Sequence, residues 1–206
     1  MALSAKMMHT QLMLVKPLLD SCSLEAIRKA QDKLGDLMGK SEQNRYLTRK
    51  HSFEQFEGSW VIPKDERRQG VILYLHGGGF VTGGTDYAQG VGAMLAVRFG
   101  TRVFCPVYRL APEHPAPAQL TDALCAYEYL IKKGYSPEHI ILCGESAGGG
   151  LCYSLCLELK KQGKPLPCGI IAISPWTDLT SSGSSYEENR EKDPSMTEEL
   201  LDYFAG

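Results

Sequence analysis

The stretch "ILCGESAGGG", residues 141–150, places one serine between glycines at the end of an apolar run. Gly144 lies two positions before Ser146 and Gly148 two positions after it, so the stretch fits the pattern G-x-S-x-G. In that pattern a strand turns into a helix so tightly that the serine takes a strained backbone conformation. A side chain at either glycine would collide with the neighbouring helix or strand. The pattern therefore predicts that the Ser146 hydroxyl is exposed as a nucleophile.

Apolar strands and helices alternate regularly around this stretch. Strands that are apolar without alternation, each followed by a helix, indicate a mostly parallel sheet with helices on both faces. The sequence therefore predicts the α/β class. Two further helices are expected before this region, and strands are expected around residues 52–62. The predicted strands of the regular part cover residues 70–76, 101–108, 139–144 and 168–175; its helices cover 87–99, 118–133 and 147–162, and the two earlier helices cover 3 to about 18 and the residues that follow Ser23.

A second glycine-rich loop, "HGGGF" at residues 76–80, directly follows the first of these strands. The carboxyl ends of parallel strands share one edge of a sheet, and that edge carries the active site. Successive glycines let backbone N–H groups approach a substrate carbonyl without obstruction. We expect Gly77 and Gly78 to donate two hydrogen bonds to an oxyanion, with Gly79 completing the loop. The N–H of Ala147, at the start of a helix, is the expected third donor.

Composition and charge narrow the class of protein. The chain is 43% hydrophobic and 22% charged, with a formal net charge of -2 and a sequence pI near 6.2. This balance gives no support to nucleic-acid binding, which is typical of basic proteins. No run reaches the roughly 18 apolar residues of a membrane span. The first 19 residues lack the pattern of a signal peptide, so we expect a cytoplasmic protein with no stable membrane insertion.

The cysteine and glycine patterns indicate neither a metal nor a nucleotide cofactor. Several of the seven cysteines fall inside apolar segments, and no Cys/His spacing is typical of metal ligands, so buried free thiols are the better interpretation. The stretch "GESAGGG" has neither the G-x-G-x-x-G spacing nor the Gly-Lys-Ser/Thr of a phosphate loop. We therefore expect no metal and no organic cofactor.

Four motifs in order resemble one known family. They are "HGGGF" (76–80), "YRLAPEHPAPAQLTDA" (108–123), "GESAGGG" (144–150) and "ISPWTDLT" (173–180). The chain resembles the hormone-sensitive-lipase family of α/β-hydrolases, especially its bacterial esterases. Arylacetamide deacetylases and plant gibberellin receptors are relatives of that family. The resemblance covers nearly everything from about residue 50 onward.

The resemblance implies an α/β-hydrolase core at residues 51–206 and an N-terminal helical cap at residues 1–50. It implies that short- to medium-chain esters are hydrolysed through an acyl-serine on Ser146. Glu145 would line the pocket or brace nearby loops. Arg109 and Glu113 would form an ion pair that braces their loop.

The sequence departs from the family in its length. Family members are roughly half as long again, with the triad aspartate after the seventh strand and the histidine after the eighth. Because this sequence ends soon after the sixth, we expect a truncated chain without the last two strands. The apolar strand "GIIAIS" (169–174) would then be an exposed edge. The segment "MTEELLDYF" is expected to begin a helix.

No residue clearly replaces the missing partners. His76 is expected to hydrogen-bond within its loop rather than act as the base. Asp178 follows the sixth strand, yet "SPWTDLT" resembles a stretch that accompanies a separate acid. We therefore expect an incomplete triad and an inactive or impaired chain. The remaining histidines lie in the cap, in its linker, in a proline-rich loop or at the amino end of a strand: His9, His51, His114 and His139.

Two alternatives remain open at this point. The first is a non-catalytic, receptor-like protein that binds a small ligand in the same pocket. The second concerns assembly, since a homo-oligomer formed through the exposed strand edge is the alternative to a monomer.

Overall fold

A computed structural model of the chain describes residues 22–193 and 196–205. The helix expected at residues 3 to 18 lies outside the described residues. The chain divides into two compact units. One unit, Arg28–Thr177, holds the whole sheet, and the other combines Met1–Ile27 with Asp178–Gly206.

The sheet has six strands in the order β1-β2-β4-β3-β5-β6. The four strands β3 to β6 are parallel to one another, which confirms the predicted parallel core. The first two strands are antiparallel, because a four-residue connection is long enough to join antiparallel neighbours only. The strands are β1 (Tyr46–Ser52), β2 (Glu57–Pro63), β3 (Val71–Leu75), β4 (Arg102–Val107), β5 (Ile140–Glu145) and β6 (Gly169–Ile173).

Helices cover both faces of the parallel part of the sheet. One face carries a cluster in which Leu73 and Leu142 pack with residues of α3 and α4. The other carries a cluster in which Ile72 and Val103 pack with alanines of α2. The double burial explains why these strands are apolar without alternation. The helices are α1 (Leu24–Ser41), α2 (Thr85–Phe99), α3 (Ala118–Lys132) and α4 (Ala147–Lys161), with a short 3-10 turn at Pro137–His139.

Among the described residues that follow Asp178 are the short helices α5 (Ser184–Glu188) and α6 (Glu198–Ala205). Helix α6 confirms the helix predicted in "MTEELLDYF". At the other end of the chain, the Ser23 hydroxyl accepts a hydrogen bond from the N–H of Ala26, as expected of a residue that caps α1. No helix within residues 22–193 and 196–205 combines the length and the apolar character that crossing a membrane requires.

The expected cap boundary at residue 50 falls within β1. Tyr46–Ser52 pairs with β2 along its whole length, so residues 46–50 belong to the sheet. The sequence "YLTRKHS" did not predict a strand because an edge strand with an open face needs few apolar side chains.

At the opposite edge, β6 pairs with β5 alone among the described strands, and Ile171 and Ile173 are 43% and 56% exposed. Among the described strands, β6 is therefore an exposed apolar edge.

The ion pair predicted between Arg109 and Glu113 is wrong. Arg109 instead binds the buried carboxylate of Asp122 in α3, with a shortest N–O distance of 2.7 Å. Glu113 binds Arg28 of α1, also at 2.7 Å. Each residue braces the proline-rich loop, but it does so against a different helix.

Candidate active site

Ser146 occupies the single residue between β5 and α4. Its backbone has φ 53° and ψ -123°, a conformation that non-glycine residues rarely adopt. The strained turn is held from one side, since Ser146 N donates to Ile173 O at 3.0 Å and Trp176 N donates to Ser146 O at 2.9 Å. The side chain is half-buried at the carboxyl end of the parallel strands.

Both flanking glycines are required by close backbone contacts. A Cβ atom at Gly148 would lie 2.1 Å from Leu75 O and 2.3 Å from His76 O. A Cβ atom at Gly144 would lie 2.5 Å from Gly148 O. These distances are impossible for real atoms, so the elbow tolerates no side chain at either position. The same contacts place the start of α4 directly against the glycine loop.

The glycine loop after β3 also depends on glycine. Gly78 and Gly79 have φ values of 125° and 61°, and a Cβ at Gly78 would lie 2.4 Å from Thr82 O. Thr82 N in turn donates to Gly78 O at 2.9 Å, which closes the loop on itself. The loop is therefore a rigid turn rather than a flexible linker.

The expectation that Gly77 supplies a free donor is wrong. Its N–H donates to Glu145 Oε1 at 2.7 Å, so it is already engaged. In the part of the chain that the structure describes, the N–H groups of Gly78, Gly79 and Ala147 have no protein acceptor. These three N–H groups are therefore able to donate to another acceptor.

Glu145 is a half-buried residue whose carboxylate accepts three hydrogen bonds on one oxygen. Besides Gly77 N, the hydroxyls of Tyr74 and Tyr87 donate to Oε1 at 2.8 and 3.0 Å. Burial raises the pKa of Glu145 above its ordinary value, although the three hydrogen bonds oppose that rise. Of the two expected roles, bracing nearby loops is the one that these contacts support.

His76 is enclosed in the core beneath the loop. Its ring is fully buried and stacks on Tyr108, with ring centres 4.1 Å apart and planes 7° apart. Nδ1 lies 2.9 Å from Gly77 O. Burial lowers the pKa of His76 to about 4, so the ring is neutral at pH 7. The geometry agrees with a structural residue.

None of the described histidines is hydrogen-bonded to Ser146. His51 stacks on Tyr129 at 4.1 Å, and His139 Nδ1 lies 3.1 Å from Ser136 Oγ at the amino end of β5. His114 lies in the proline-rich loop, lining a small cleft with Arg28. His9 lies outside the described residues.

The Asp178 carboxylate is occupied by its own turn. One oxygen accepts from the N–H and hydroxyl of Thr180, and the other accepts from the same groups of Ser182. These four donors hold the pKa of Asp178 well below its usual range. The carboxylate therefore organises a surface turn.

Several side chains around the site were not predicted from the sequence. Tyr74 and Tyr87 reach Glu145 from a strand and a helix, and Tyr108 supports His76 and donates to its carbonyl oxygen at 2.5 Å. Trp176 packs against Phe80, with ring centres 6.2 Å apart. Trp176 belongs to the motif "ISPWTDLT", which was the available signal. The tyrosines have no local signal, because only the folded sheet brings them together.

Comparison with known proteins agrees with this architecture. A family described as "alpha/beta hydrolase fold" matches residues 72–206, which include the glycine loop and the elbow. The chain belongs to this α/β-hydrolase family, on its hormone-sensitive-lipase branch.

Three relatives illustrate the similarity. An acetyl-hydrolase of Streptomyces hygroscopicus is 36% identical over 135 residues, 65% of this chain and 44% of that protein. Mouse hormone-sensitive lipase is 36% identical over 122 residues, 57% of this chain and 16% of the lipase. The crystal structure of an esterase from the bacterial hormone-sensitive lipase family superposes with a TM-score of 0.86 at 31% identity, covering 100% of this chain and 69% of the esterase. The chain spans less than half the length of the curated relatives it matches.

Proposed function

We propose that this chain carries the nucleophile and oxyanion site of a serine carboxylesterase that acts on short- to medium-chain acyl esters. The observation that carries the proposal is Ser146 on its strained turn, with φ 53°, beside a glycine loop. The names of the relatives, an acetyl-hydrolase and esterases among them, support the substrate class.

The proposed reaction begins with attack of Ser146 Oγ on the ester carbonyl. The carbonyl oxygen becomes an oxyanion, which the unengaged N–H groups of Gly78, Gly79 and Ala147 stabilise. When this intermediate collapses, the bond to the alkoxy oxygen breaks, the alcohol leaves with the proton that Ser146 Oγ gave up, and the acyl group stays on Ser146. Water then attacks the acyl-serine, releasing the carboxylic acid and restoring the hydroxyl.

The rate depends on a base for Ser146 Oγ. Within residues 22–193 and 196–205 no histidine forms a hydrogen bond with that hydroxyl, so no described histidine is placed to accept its proton. Oxyanion stabilisation and substrate binding alone accelerate such a reaction by about 10³–10⁴-fold over water. We therefore expect these residues by themselves to give slow acylation.

The test is p-nitrophenyl acetate hydrolysis by the chain, by Ser146→Ala and by Ser154→Ala, an exposed serine of α4. We expect acetyl transfer to the peptide that contains Ser146, detected by mass spectrometry, and its loss in Ser146→Ala alone. Equal turnover and equal labelling in all three proteins would contradict the proposal. Tight binding of the ester without acylation would instead favour the receptor-like alternative.

A further inference from the structure

A second cleft lies away from Ser146, on the open face of the antiparallel edge of the sheet. It has a volume of about 580 Å³, within the range of small-molecule sites. Its lining residues come from β1, β2, the start of β4, and α3 with the residues that follow it. Arg102 begins β4, whereas Ser146 follows the carboxyl end of β5, so the two sites lie towards opposite ends of the parallel strands.

The lining of this cleft is strongly basic. Arg49, Lys50, Arg102 and Lys133 all line it, and none of the lining residues is acidic. This excess is local, because the whole chain has a net charge of -2. A concave surface with one sign of charge concentrates ions of the opposite sign.

Two of the four cations are not neutralised by nearby carboxylates. Arg102 is paired with Glu66 at 2.9 Å, and Lys50 lies 3.9 Å from Glu57. Arg49 and Lys133 form no ion pair with any described residue, and both are exposed at the cleft. These two side chains are therefore available to an anion.

Aromatic side chains form the wall between the cations. Trp60 and Tyr135 are nearly parallel, with planes 25° apart and ring centres 6.0 Å apart. Trp60 Nε1 donates to Tyr129 Oη at 3.0 Å, and His51 stacks on Tyr129. This stacking and the hydrogen bond hold the wall in one arrangement. These side chains therefore lose little conformational entropy when a ligand binds.

We propose that the cleft binds a small aromatic anion, a planar ring that carries a carboxylate or phosphate. The acidic group contacts Arg49 and Lys133, and the ring packs on Trp60 and Tyr135. An inorganic anion would use the cations but not the aromatic wall, and a neutral ring would leave the cations unpaired. The proposal is independent of the esterase function, since none of these residues belongs to the elbow or the glycine loop.

The chain has only two tryptophans, so indole N–H signals in ¹H–¹⁵N NMR report on each site separately. The probe is 2-naphthoate, and Trp176→Phe assigns the two signals. We expect the Trp60 signal to shift and the Trp176 signal to stay. We expect 2-naphthoate to bind at least about ten-fold more tightly than cyclohexanecarboxylate or 2-naphthalenemethanol, since it uses both parts of the cleft. Titration with 2-naphthyl phosphate then distinguishes a phosphate from a carboxylate preference.

The matched variants test the two cations that have no carboxylate partner among the described residues; the Nζ of one of them, Lys133, lies over the Tyr129 ring at 5.5 Å from its centre. Arg49→Glu combined with Lys133→Glu is expected to weaken 2-naphthoate binding at least about ten-fold. Arg98→Glu combined with Lys160→Glu makes the same change in net charge at exposed positions outside the cleft and is expected to change affinity less than about two-fold. Equal weakening in both pairs, an unshifted Trp60 signal, or equally tight binding of cyclohexanecarboxylate would each overturn the proposal.

Discussion

The backbone N–H of Gly77 donates a hydrogen bond to Glu145 Oε1 over 2.7 Å. This contact joins the glycine loop that follows β3 to the last residue of β5, immediately before Ser146. The same oxygen accepts hydrogen bonds from Tyr74 and Tyr87, so a strand, a helix and a loop converge on one half-buried carboxylate. Glu145 therefore links the glycine loop to the residue that precedes Ser146.

The half-buried Glu145 carboxylate makes the free energy of unfolding depend on pH. Burial raises the folded-state pKa of Glu145 above 4.5, so the folded protein holds the proton more tightly than the unfolded chain. Between 4.5 and the raised pKa the wild type therefore loses stability as pH rises. We expect its free energy of unfolding to fall relative to Glu145→Gln over this window, measured by urea unfolding from pH 4.5 to 8. A difference that is constant or grows with pH would show that the carboxylate is not destabilised by burial.

His76 makes the free energy of unfolding depend on pH in the opposite direction. Its folded-state pKa is about 4 against 6.5 in the unfolded chain, so below pH 6.5 the unfolded chain gains the proton first. Stability is then lost as pH falls from 6.5 to 4, by up to about 3 kcal/mol for a shift of this size. We expect His76→Gln to lack this loss in urea unfolding, whereas the exposed His139→Gln should follow the wild type. If His76→Gln and the wild type show the same acid dependence, the ring is not held neutral.

Because α4 lies close to β3, adding a single methyl group at Gly148 should lower the free energy of unfolding strongly. Gly148→Ala would place Cβ 2.1 Å from Leu75 O, and backbone on both sides must move to accept it. We expect a loss of at least about 3 kcal/mol in the free energy of unfolding, as for severe overpacking. Gly169→Ala is the control, because no atom lies within 4 Å of its Cβ position, and it should change stability by less than about 1 kcal/mol. Similar values for the two variants would rule out the tight elbow.

The Arg109–Asp122 pair should stabilise the fold more than the Arg28–Glu113 pair does. Asp122 is 2% exposed and also accepts the N–H of Arg109 at 2.9 Å, whereas the Glu113 side chain is 54% exposed. Removing one partner of a buried pair costs about 3 kcal/mol or more because it leaves a charge without compensation. We therefore expect Asp122→Ala to lower the urea midpoint strongly and Glu113→Gln to leave it nearly unchanged. The reverse order would mean that the loop is anchored mainly to α1.

Local chemistry explains which features the sequence predicted correctly. The elbow around Ser146 is encoded within five residues, since only glycine fits at Gly144 and Gly148. The parallel strands were equally clear, because burial on both faces requires continuous apolar runs. Strand β1 was not predicted because most of its residues are exposed and its sequence has no continuous apolar run. Its open face instead carries polar residues that line the basic cleft.

The sequence by itself determined the parallel α/β architecture and the tight turn at Ser146, because both depend on short-range sterics and on patterns of burial. Only the tertiary structure decided how the polar groups pair. Glu145 accepts a hydrogen bond from the N–H of Gly77, and Arg109 pairs with Asp122 rather than with Glu113. Many donors and acceptors are chemically able to pair, and the folded sheet selects among them by bringing distant segments within about 3 Å.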